Sequence, residues 1–304
     1  MENIQSDSFV KLTKNATKLL IQTSYLCNFH CLHCFQGEKT KSNISFTLLD
    51  LKKLITKINE NSKLESVTFL GGEPFLYKEL FDIVEYTNNL GLTSVVCTNG
   101  WNITSKLQEM QNVLHHLRVS IDGDNISHDE VRQRSGSYVH ALNSLKVAKE
   151  LRIKTSVTYT ATKIGLSGLY TMAKDVLDLG ARFIKIHDFR PIGYGETNSE
   201  NLILTENDRE LLLKTVAEIS KNLNLEVRLD DTLLPMQLQA ISSVEFGSDR
   251  IEVDAEGGIY LSCKAVGDGS NAFLFNSQTS TVELLTKIKN ELTAKMPQVQ
   301  YAKK

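Results

Sequence analysis

The chain of 304 residues is 41% hydrophobic, which is enough to bury the core of one large domain or of a domain with an appendage. Its 36 acidic and 34 basic residues nearly cancel to a net charge of −2, which excludes the basic surface of a nucleic-acid-binding protein. The chain has no apolar run as long as a membrane span, and its polar N-terminal segment lacks the apolar core of a signal peptide. We therefore expect a cytoplasmic protein without a membrane or nucleic-acid partner, in which thiols stay reduced.

Predicted strands and helices alternate from residue 18 to residue 223. Short β-branched and apolar runs predict the strands, and apolar residues at helical spacing predict the helices. The predicted strands are 18–26, 66–70, 94–97, 117–121, 154–161 and 181–186, and the predicted helices are 47–61, 77–90, 138–151, 166–179 and 207–223. This alternation implies right-handed crossovers and a parallel sheet, so the predicted fold is α/β, a partial (β/α)6 TIM-like barrel.

The pattern changes after about residue 224. Residues 226–229 are a predicted strand, 250–263 a predicted hairpin and 282–295 a predicted helix. These elements predict a small α+β extension behind the barrel. The predicted segments are a lead-in over 1–17, the barrel over 18–224 and the extension over 225–304.

Three of the five cysteines crowd into CNFHCLHC, the stretch that follows the first predicted strand. They are Cys27, Cys31 and Cys34. A disulfide needs two thiols and a closed zinc site needs four ligands, so three thiols suggest a site that is left open. Three thiolates on a four-iron cubane leave one iron free to bind a small molecule. The alternative is a Cys3His zinc site, which His30 or His33 would complete.

This arrangement resembles the radical S-adenosylmethionine (radical SAM) superfamily, whose signature is C-x3-C-x2-C after the first barrel strand. That family commonly has an aromatic residue or histidine before the last cysteine, as His33 stands here. The stretch GGEP, residues 71–74, ends the second predicted strand, where the family has its glycine-rich motif. The resemblance implies that the backbone of Gly71 and Gly72 binds the amino group of S-adenosylmethionine, with Glu73 as an acceptor.

A third stretch, VSIDG at 119–123 followed by HDEVR at 128–132, resembles the subgroup with SPASM or twitch extensions. By that resemblance, Ser120 contacts the cofactor and Asp122 binds its ribose or orients the loop. Arg132 is the candidate to face the cofactor carboxylate, because a guanidinium matches a carboxylate in a bidentate pair. The competing interpretation of Arg132 is a solvated arginine.

The resemblance implies one [4Fe-4S] cluster and S-adenosyl-L-methionine as cofactors. With an electron from a flavodoxin or ferredoxin, such an enzyme cleaves S-adenosylmethionine to a 5′-deoxyadenosyl radical, which abstracts a hydrogen atom. We expect the substrate to be a small ribosomal peptide or a natural-product precursor. One alternative is a maturase that acts on a folded protein partner. A second, of a different class, is a non-catalytic zinc-binding module.

Three polar residues follow the sixth predicted strand, where a barrel exposes its substrate site. They are His187, Asp188 and Arg190. We predict that they contact the substrate, and the alternative is a solvated connecting loop.

The C-terminal region resembles the opening hairpin of a SPASM region without its cysteines. Phe246 stands where the family has a cysteine, only Cys263 remains of the later set, and Cys97 is interpreted as a buried core residue. A single cluster is therefore predicted, which favours a redox-neutral reaction such as epimerisation. Cys263 is either the hydrogen donor of that reaction or an inert packed thiol.

Overall fold

The computed structural model describes residues 9–10, 13–234, 249–261, 273–276, 278–279 and 281–284. Within them, eleven strands form one sheet. The strands are β1 Lys18–Gln22, β2 Ser66–Leu70, β3 Thr93–Thr98, β4 His116–Ser120, β5 Lys154–Ala161, β6 Ala181–Asp188, β7 Glu226–Leu229, β8 Arg250–Val253, β9 Gly258–Tyr260, β10 Phe273–Asn276 and β11 Thr281–Leu284.

Helices connect the first seven strands. They are α1 Leu48–Glu60, α2 Leu80–Asn89, α3 Thr104–Glu109, α4 Asn125–Arg132, α5 Ser137–Glu150, α6 Leu169–Asp178, α7 Tyr194–Thr197, α8 Ser199–Leu202 and α9 Glu206–Leu223. The Thr47 side chain caps the start of α1, because it accepts a hydrogen bond from the backbone N–H of Asp50.

Strands β1 to β7 lie side by side in chain order, and each pairs with the next in parallel. Each connection therefore crosses over one face of the sheet, and the helices cover that face. The predicted α/β fold with the parallel sheet of a partial TIM-like barrel is confirmed. The carboxyl ends of these strands lie along one edge of the sheet, and that edge carries the candidate site.

On the other side of β1 the sheet continues into the C-terminal region. Strand β8 pairs with β1 in parallel, and β9, β10 and β11 follow as antiparallel neighbours. The predicted hairpin is confirmed over β8 and β9, whereas residues 262–263 lie outside the described residues. Strands on both sides of residue 224 belong to one sheet, and the domain boundary near that residue stays a prediction.

The predicted C-terminal helix is wrong at its start. Residues 281–284 form β11, because their backbone pairs with the open edge of β10. The rest of the predicted segment, residues 285–295, lies outside the described residues.

The two faces of the sheet differ in polarity. Leu117 and Val119 of β4 are fully buried in the hydrophobic core under the helices. Because successive side chains of a strand point to opposite faces, their neighbours on β4 face the other side, and the same alternation holds on β3, β5, β6 and β8. We call this other side the polar interior. Its residues include Cys97, Arg118, Ser120, Thr158, Lys185, His187, Arg250 and Glu252.

In the part of the chain that the structure describes, no helix combines the length and the apolar character that crossing a membrane requires.

Candidate metal and cofactor site

Cys27, Cys31 and Cys34 lie in the loop that leaves the carboxyl end of β1, and none forms a disulfide. Backbone hydrogen bonds fix this loop. The N–H of Cys27 donates to the carbonyl of Thr40 at 3.0 Å. The carbonyl of Cys34 accepts from the N–H of Tyr194 at 2.9 Å, which ties the loop to α7. The loop is therefore held at both ends before any metal binds.

Burial makes the thiolate form of these cysteines costly. It raises the pKa of Cys27 to about 12 and the pKa of Cys31 to about 11, and it also raises the pKa of Cys34. A cation offsets this cost at one of them, because Nη1 of Arg132 lies 3.8 Å from Sγ of Cys31. Iron binds the thiolate form, so one buried and two half-buried thiols beside a cation fit the donor set of an iron–sulfur cluster.

The two histidines of the motif, His30 and His33, lie within hydrogen-bond distance of groups other than the three thiols. Nε2 of His33 lies 2.7 Å from Oδ2 of Asp122, and Nδ1 of His30 lies 2.7 Å from the carbonyl oxygen of Phe29. Among the described residues, no three or more His, Cys, Asp or Glu side chains converge tightly enough to hold one metal ion. A cubane offers each thiolate its own iron, so its ligands do not need to converge on one point.

The glycine pair packs directly against the start of the cysteine loop. The N–H groups of Gly72 and Glu73 each donate at 2.9 Å, to the carbonyls of Ser24 and Leu26. A Cβ at Gly72 would overlap the carbonyl oxygens of Tyr25 and Leu26, so only glycine permits this approach.

The carbonyl oxygens of Gly71 and Gly72 accept no hydrogen bond from any described residue. Such oxygens are suitable acceptors for an ammonium group. The predicted contact of this pair with the amino group of S-adenosylmethionine stays a prediction.

The buried side chain of Glu73 connects the ends of β2 and β3 through hydrogen bonds. Its carboxylate accepts hydrogen bonds from the N–H of Phe75 at 3.1 Å, from Oγ1 of Thr98 at 2.7 Å and from the N–H of Asn99 at 2.8 Å. Burial raises its pKa, and these three donors oppose that shift. The carboxylate holds the edge of the sheet together, and its predicted acceptance from the cofactor stays a prediction.

Asp122 is fully buried just beyond β4 and joins three elements. Its Oδ2 lies 2.7 Å from Nε2 of His33 and 2.7 Å from Nε of Arg132, and its Oδ1 accepts from the N–H of Thr160 at 2.8 Å. Burial alone would raise the pKa of Asp122, but Arg132 and His33 hold it well below its usual range. The carboxylate is therefore ionised, and it orients the cysteine loop through His33.

Arg132 is the last residue of α4 and is buried, which excludes the solvated interpretation. Its ion pair with Asp122 and its approach to Cys31 place one positive charge between a carboxylate and a thiol. Its predicted contact with the cofactor carboxylate stays a prediction.

Ser120 ends β4 on the polar interior, where its Oγ lies 3.8 Å from Sγ of Cys97. Cys97 is half-buried, and the interpretation of this thiol as a core residue is wrong. Its neighbour Val96 occupies the core instead, and the alternation of β3 turns Cys97 to the opposite face.

The three predicted substrate residues lie at or just after the carboxyl end of β6, on the edge of the sheet that carries the candidate site. His187 and Asp188 belong to the end of β6 instead of the loop, because the strand continues to pair with β5 up to Asp188. Nδ1 of His187 lies 3.1 Å from Oδ2 of Asp230. Nη2 of Arg209 lies 3.5 Å from Oδ1 of Asp188. The positive charge of Arg190 lowers the pKa of Glu252. Their contact with a substrate stays a prediction.

A second contact between the cysteine loop and the edge of the sheet was not predicted from the sequence. Nδ2 of Asn99 donates to Oδ1 of Asn28 at 2.8 Å. The guanidinium of Arg134 stacks over Trp101, 4.2 Å from the ring centroid. The stretches CNFHC and TNGW contain Asn28, Asn99 and Trp101, but nothing in their spacing indicates that the two loops meet.

The arrangement brings together three thiols, a cradle of backbone acceptors and a polar interior at one edge of the sheet. Such an edge can hold a cluster and a small ligand above a substrate that lies among the inward-facing side chains.

Comparison with protein-family models gives a match to the radical SAM superfamily over residues 21–166. The AdoMet-dependent heme synthase of Methanosarcina barkeri is 27% identical over 207 residues, which are 66% of this chain and 58% of that protein. The antilisterial bacteriocin subtilosin biosynthesis protein AlbA of Bacillus subtilis is 24% identical over 165 residues, 53% of this chain and 37% of AlbA. The matched part of the chain thus covers 58% of the heme synthase and 37% of AlbA.

Solved structures agree with the fold over a larger part of the chain. Streptococcus suis SuiB bound to S-adenosylmethionine has a TM-score of 0.68 at 16% identity, over 85% of this chain and 63% of SuiB. The structure of anSMEcpe with bound AdoMet and the Cp18Cys peptide has a TM-score of 0.64 at 20% identity, over 84% of this chain and 76% of anSMEcpe. The family match confirms the resemblance seen in the sequence. The SPASM-like or twitch-like character of residues 225–304 stays a prediction.

Proposed function

Because the chain carries a radical SAM domain, we propose that it is an enzyme that abstracts a hydrogen atom from a peptide or natural-product precursor. The domain family uses a [4Fe-4S] cluster and S-adenosylmethionine. When bound and reduced, these cofactors supply a 5′-deoxyadenosyl radical. The observation that carries the proposal is the open set of three thiols beside Arg132, at the carboxyl edge of a parallel sheet.

In this proposal Cys27, Cys31 and Cys34 hold three irons, and the fourth iron is left to S-adenosylmethionine. Arg132 stabilises the negative charge at Cys31, and Asp122 keeps both Arg132 and His33 in place. The free carbonyls of Gly71 and Gly72 orient the amino group of S-adenosylmethionine, and Ser120 contacts it from the end of β4.

The substrate lies in the polar interior, with His187, Asp188 and Arg190 at its rim. Two relatives support a peptide. AlbA is named as a bacteriocin biosynthesis protein, and SuiB has a structure bound to the precursor peptide SuiA. The electron donor in this proposal is a flavodoxin or a ferredoxin.

A tetrapyrrole is the competing substrate, because the heme synthase of Methanosarcina barkeri and the pre-heme d1 synthase of Dinoroseobacter shibae are both relatives. A maturase that acts on a folded protein is the remaining alternative. Parallel assays distinguish the three substrate classes. They use short synthetic peptides, a carboxylated tetrapyrrole and purified proteins.

The test is anaerobic incubation of the reconstituted chain with S-adenosylmethionine, a reductant and each substrate class in deuterated water. The proposal predicts 5′-deoxyadenosine that increases with peptide, and deuterium at one carbon if the reaction is an epimerisation. Failure to form 5′-deoxyadenosine with any substrate contradicts the proposal.

The same assay tests Cys263, which lies outside the described residues. If Cys263 donates the hydrogen atom, Cys263→Ala accumulates 5′-deoxyadenosine without the deuterated product. Cys97→Ala is the matched variant, since Cys97 faces the polar interior beside Ser120. Deuterated product from Cys263→Ala shows that Cys263 is not the donor.

A further inference from the structure

The guanidinium of Arg118 lies in the polar interior, and no described residue gives it an acidic partner. Arg118 is the central residue of β4, and its Nε is buried without a hydrogen-bond partner among the described residues. Its neighbours in the strand pairing are Cys97 on β3 and Ser156 on β5, neither of which carries a carboxylate. A buried charge without a partner is costly, and proteins retain such a group chiefly where it binds something.

Two other cations near Arg118 increase this cost. Burial lowers the pKa of Arg118, Cys97 opposes that shift, and the nearby cations Arg250 and Arg228 lower the pKa further. These two side chains come from β8 and β7, so cations from three strands act on one another across the polar interior. An anion among them would relieve the repulsion.

The described carboxylates near the polar interior lie beside other cations. Asp230 lies 2.7 Å from Nζ of Lys185 and 3.1 Å from Nδ1 of His187. Oε1 of Glu252 lies 3.8 Å from Nη1 of Arg250 and has no hydrogen-bond partner among the described residues. Arg228 is held by a bidentate pair with Glu226, at 2.7 and 3.1 Å. None of these pairs includes Arg118.

We propose that Arg118 binds an anionic group of the substrate, a carboxylate or a phosphate, in the polar interior below the cofactor. Both groups match the planar guanidinium in a bidentate pair. Arg118 lies two residues before Ser120, about 7 Å along the strand. An anion at Arg118 thus holds the adjoining carbon atoms of the substrate near the end of β4, where the cofactor is proposed to bind. The inference rests on the proposed function for the identity of the site.

The test measures anion binding without the radical reaction, so its failure differs from a failure of the proposed function. The reconstituted full-length chain is melted in sodium acetate, in sodium phosphate and in sodium chloride of the same ionic strength. We expect acetate or phosphate to raise the melting temperature above that in chloride, and the larger shift identifies the preferred anion. Arg118→Gln is expected to lose this response.

Two further variants keep the outcome decisive. Arg152→Gln removes an exposed arginine after α5 and is expected to respond to anions as the unmodified chain does. Arg118→Met replaces the charge with an apolar side chain, and we expect it to melt at a higher temperature than the unmodified chain in chloride. Equal melting in all three salts, an unchanged response in Arg118→Gln, or a lower melting temperature of Arg118→Met would overturn the proposal.

Discussion

At the scale of single residues, buried charges decide the properties of the site. Asp122 has its negative charge balanced by Arg132 and His33, and so it stays ionised inside the protein. Glu252 has no hydrogen-bond partner for Oε1 among the described residues, and burial raises its pKa to about 7, although Arg250 and Arg190 oppose the shift. Two buried carboxylates thus differ in charge because their neighbours differ.

The raised pKa of Glu252 predicts a dependence of stability on pH. Between its ordinary pKa of 4.5 and about 7, the folded chain binds more protons at this residue than the unfolded chain does. The free energy of unfolding therefore falls as the pH rises through this window. Glu252→Gln cannot ionise, so we expect the variant to exceed the unmodified chain in stability at pH 8, by at most about 3 kcal/mol.

Urea unfolding at pH 4.5 and at pH 8 measures this difference. The gain from Glu252→Gln is expected to be larger at pH 8 than at pH 4.5, because protonation at low pH removes the charge that the substitution replaces. A gain of the same size at both values would show that Glu252 does not change its charge in this range.

At the scale of elements, the fit between the cysteine loop and the end of β2 determines where the three thiols lie. The loop backbone over Ser24 to Leu26 lies on Gly71 and Gly72, which have no side chain to separate them. The motif could be recognised from the sequence, but the contact that requires its glycines could not. This contact forms between segments that are about 46 residues apart, and local propensity carries no information about it.

Gly72→Ala tests this contact. The added Cβ would meet the carbonyl oxygens of Tyr25 and Leu26, so the cysteine loop must move away from the sheet. We expect the variant to bind much less iron after reconstitution than the unmodified chain, measured as iron per chain in folded protein.

Gly91→Ala is the matched control. Gly91 has a φ of +79° and no atom within 4 Å of an added Cβ, so its substitution costs only backbone strain, about 1 kcal/mol. Its iron content is expected to equal that of the unmodified chain. Full iron content in Gly72→Ala would show that the close approach is not needed to place the ligands.

At the scale of the whole molecule, the chain-order alternation predicted the parallel sheet well. The strands over residues 66–70 and 154–161 have the predicted bounds, because short apolar and β-branched runs leave little ambiguity. Helices α3 and α4 were not predicted, since they are short and largely polar, with one and four buried residues. Their packing against helix α5, not their own periodicity, stabilises them.

The pairing of β8 with β1 could not be read from the sequence. Lys18 lies opposite Arg250 in this parallel pair, more than two hundred residues further along the chain. Because of this pairing, Arg250 and Glu252 face the same polar interior as Arg118. The polar character of that interior therefore depends on long-range topology, whereas the cysteine motif could be recognised locally.

The central claim is that three cysteines hold a cluster with one iron open to S-adenosylmethionine. The most direct measurement is iron content together with the electron paramagnetic resonance spectrum of the reduced, oxygen-free chain, before and after addition of S-adenosylmethionine. We predict about four irons per chain, a spectrum that changes on addition, and loss of both in Cys31→Ala but not in Cys97→Ala. A colourless chain with bound zinc, or a spectrum that S-adenosylmethionine leaves unchanged, would contradict the account.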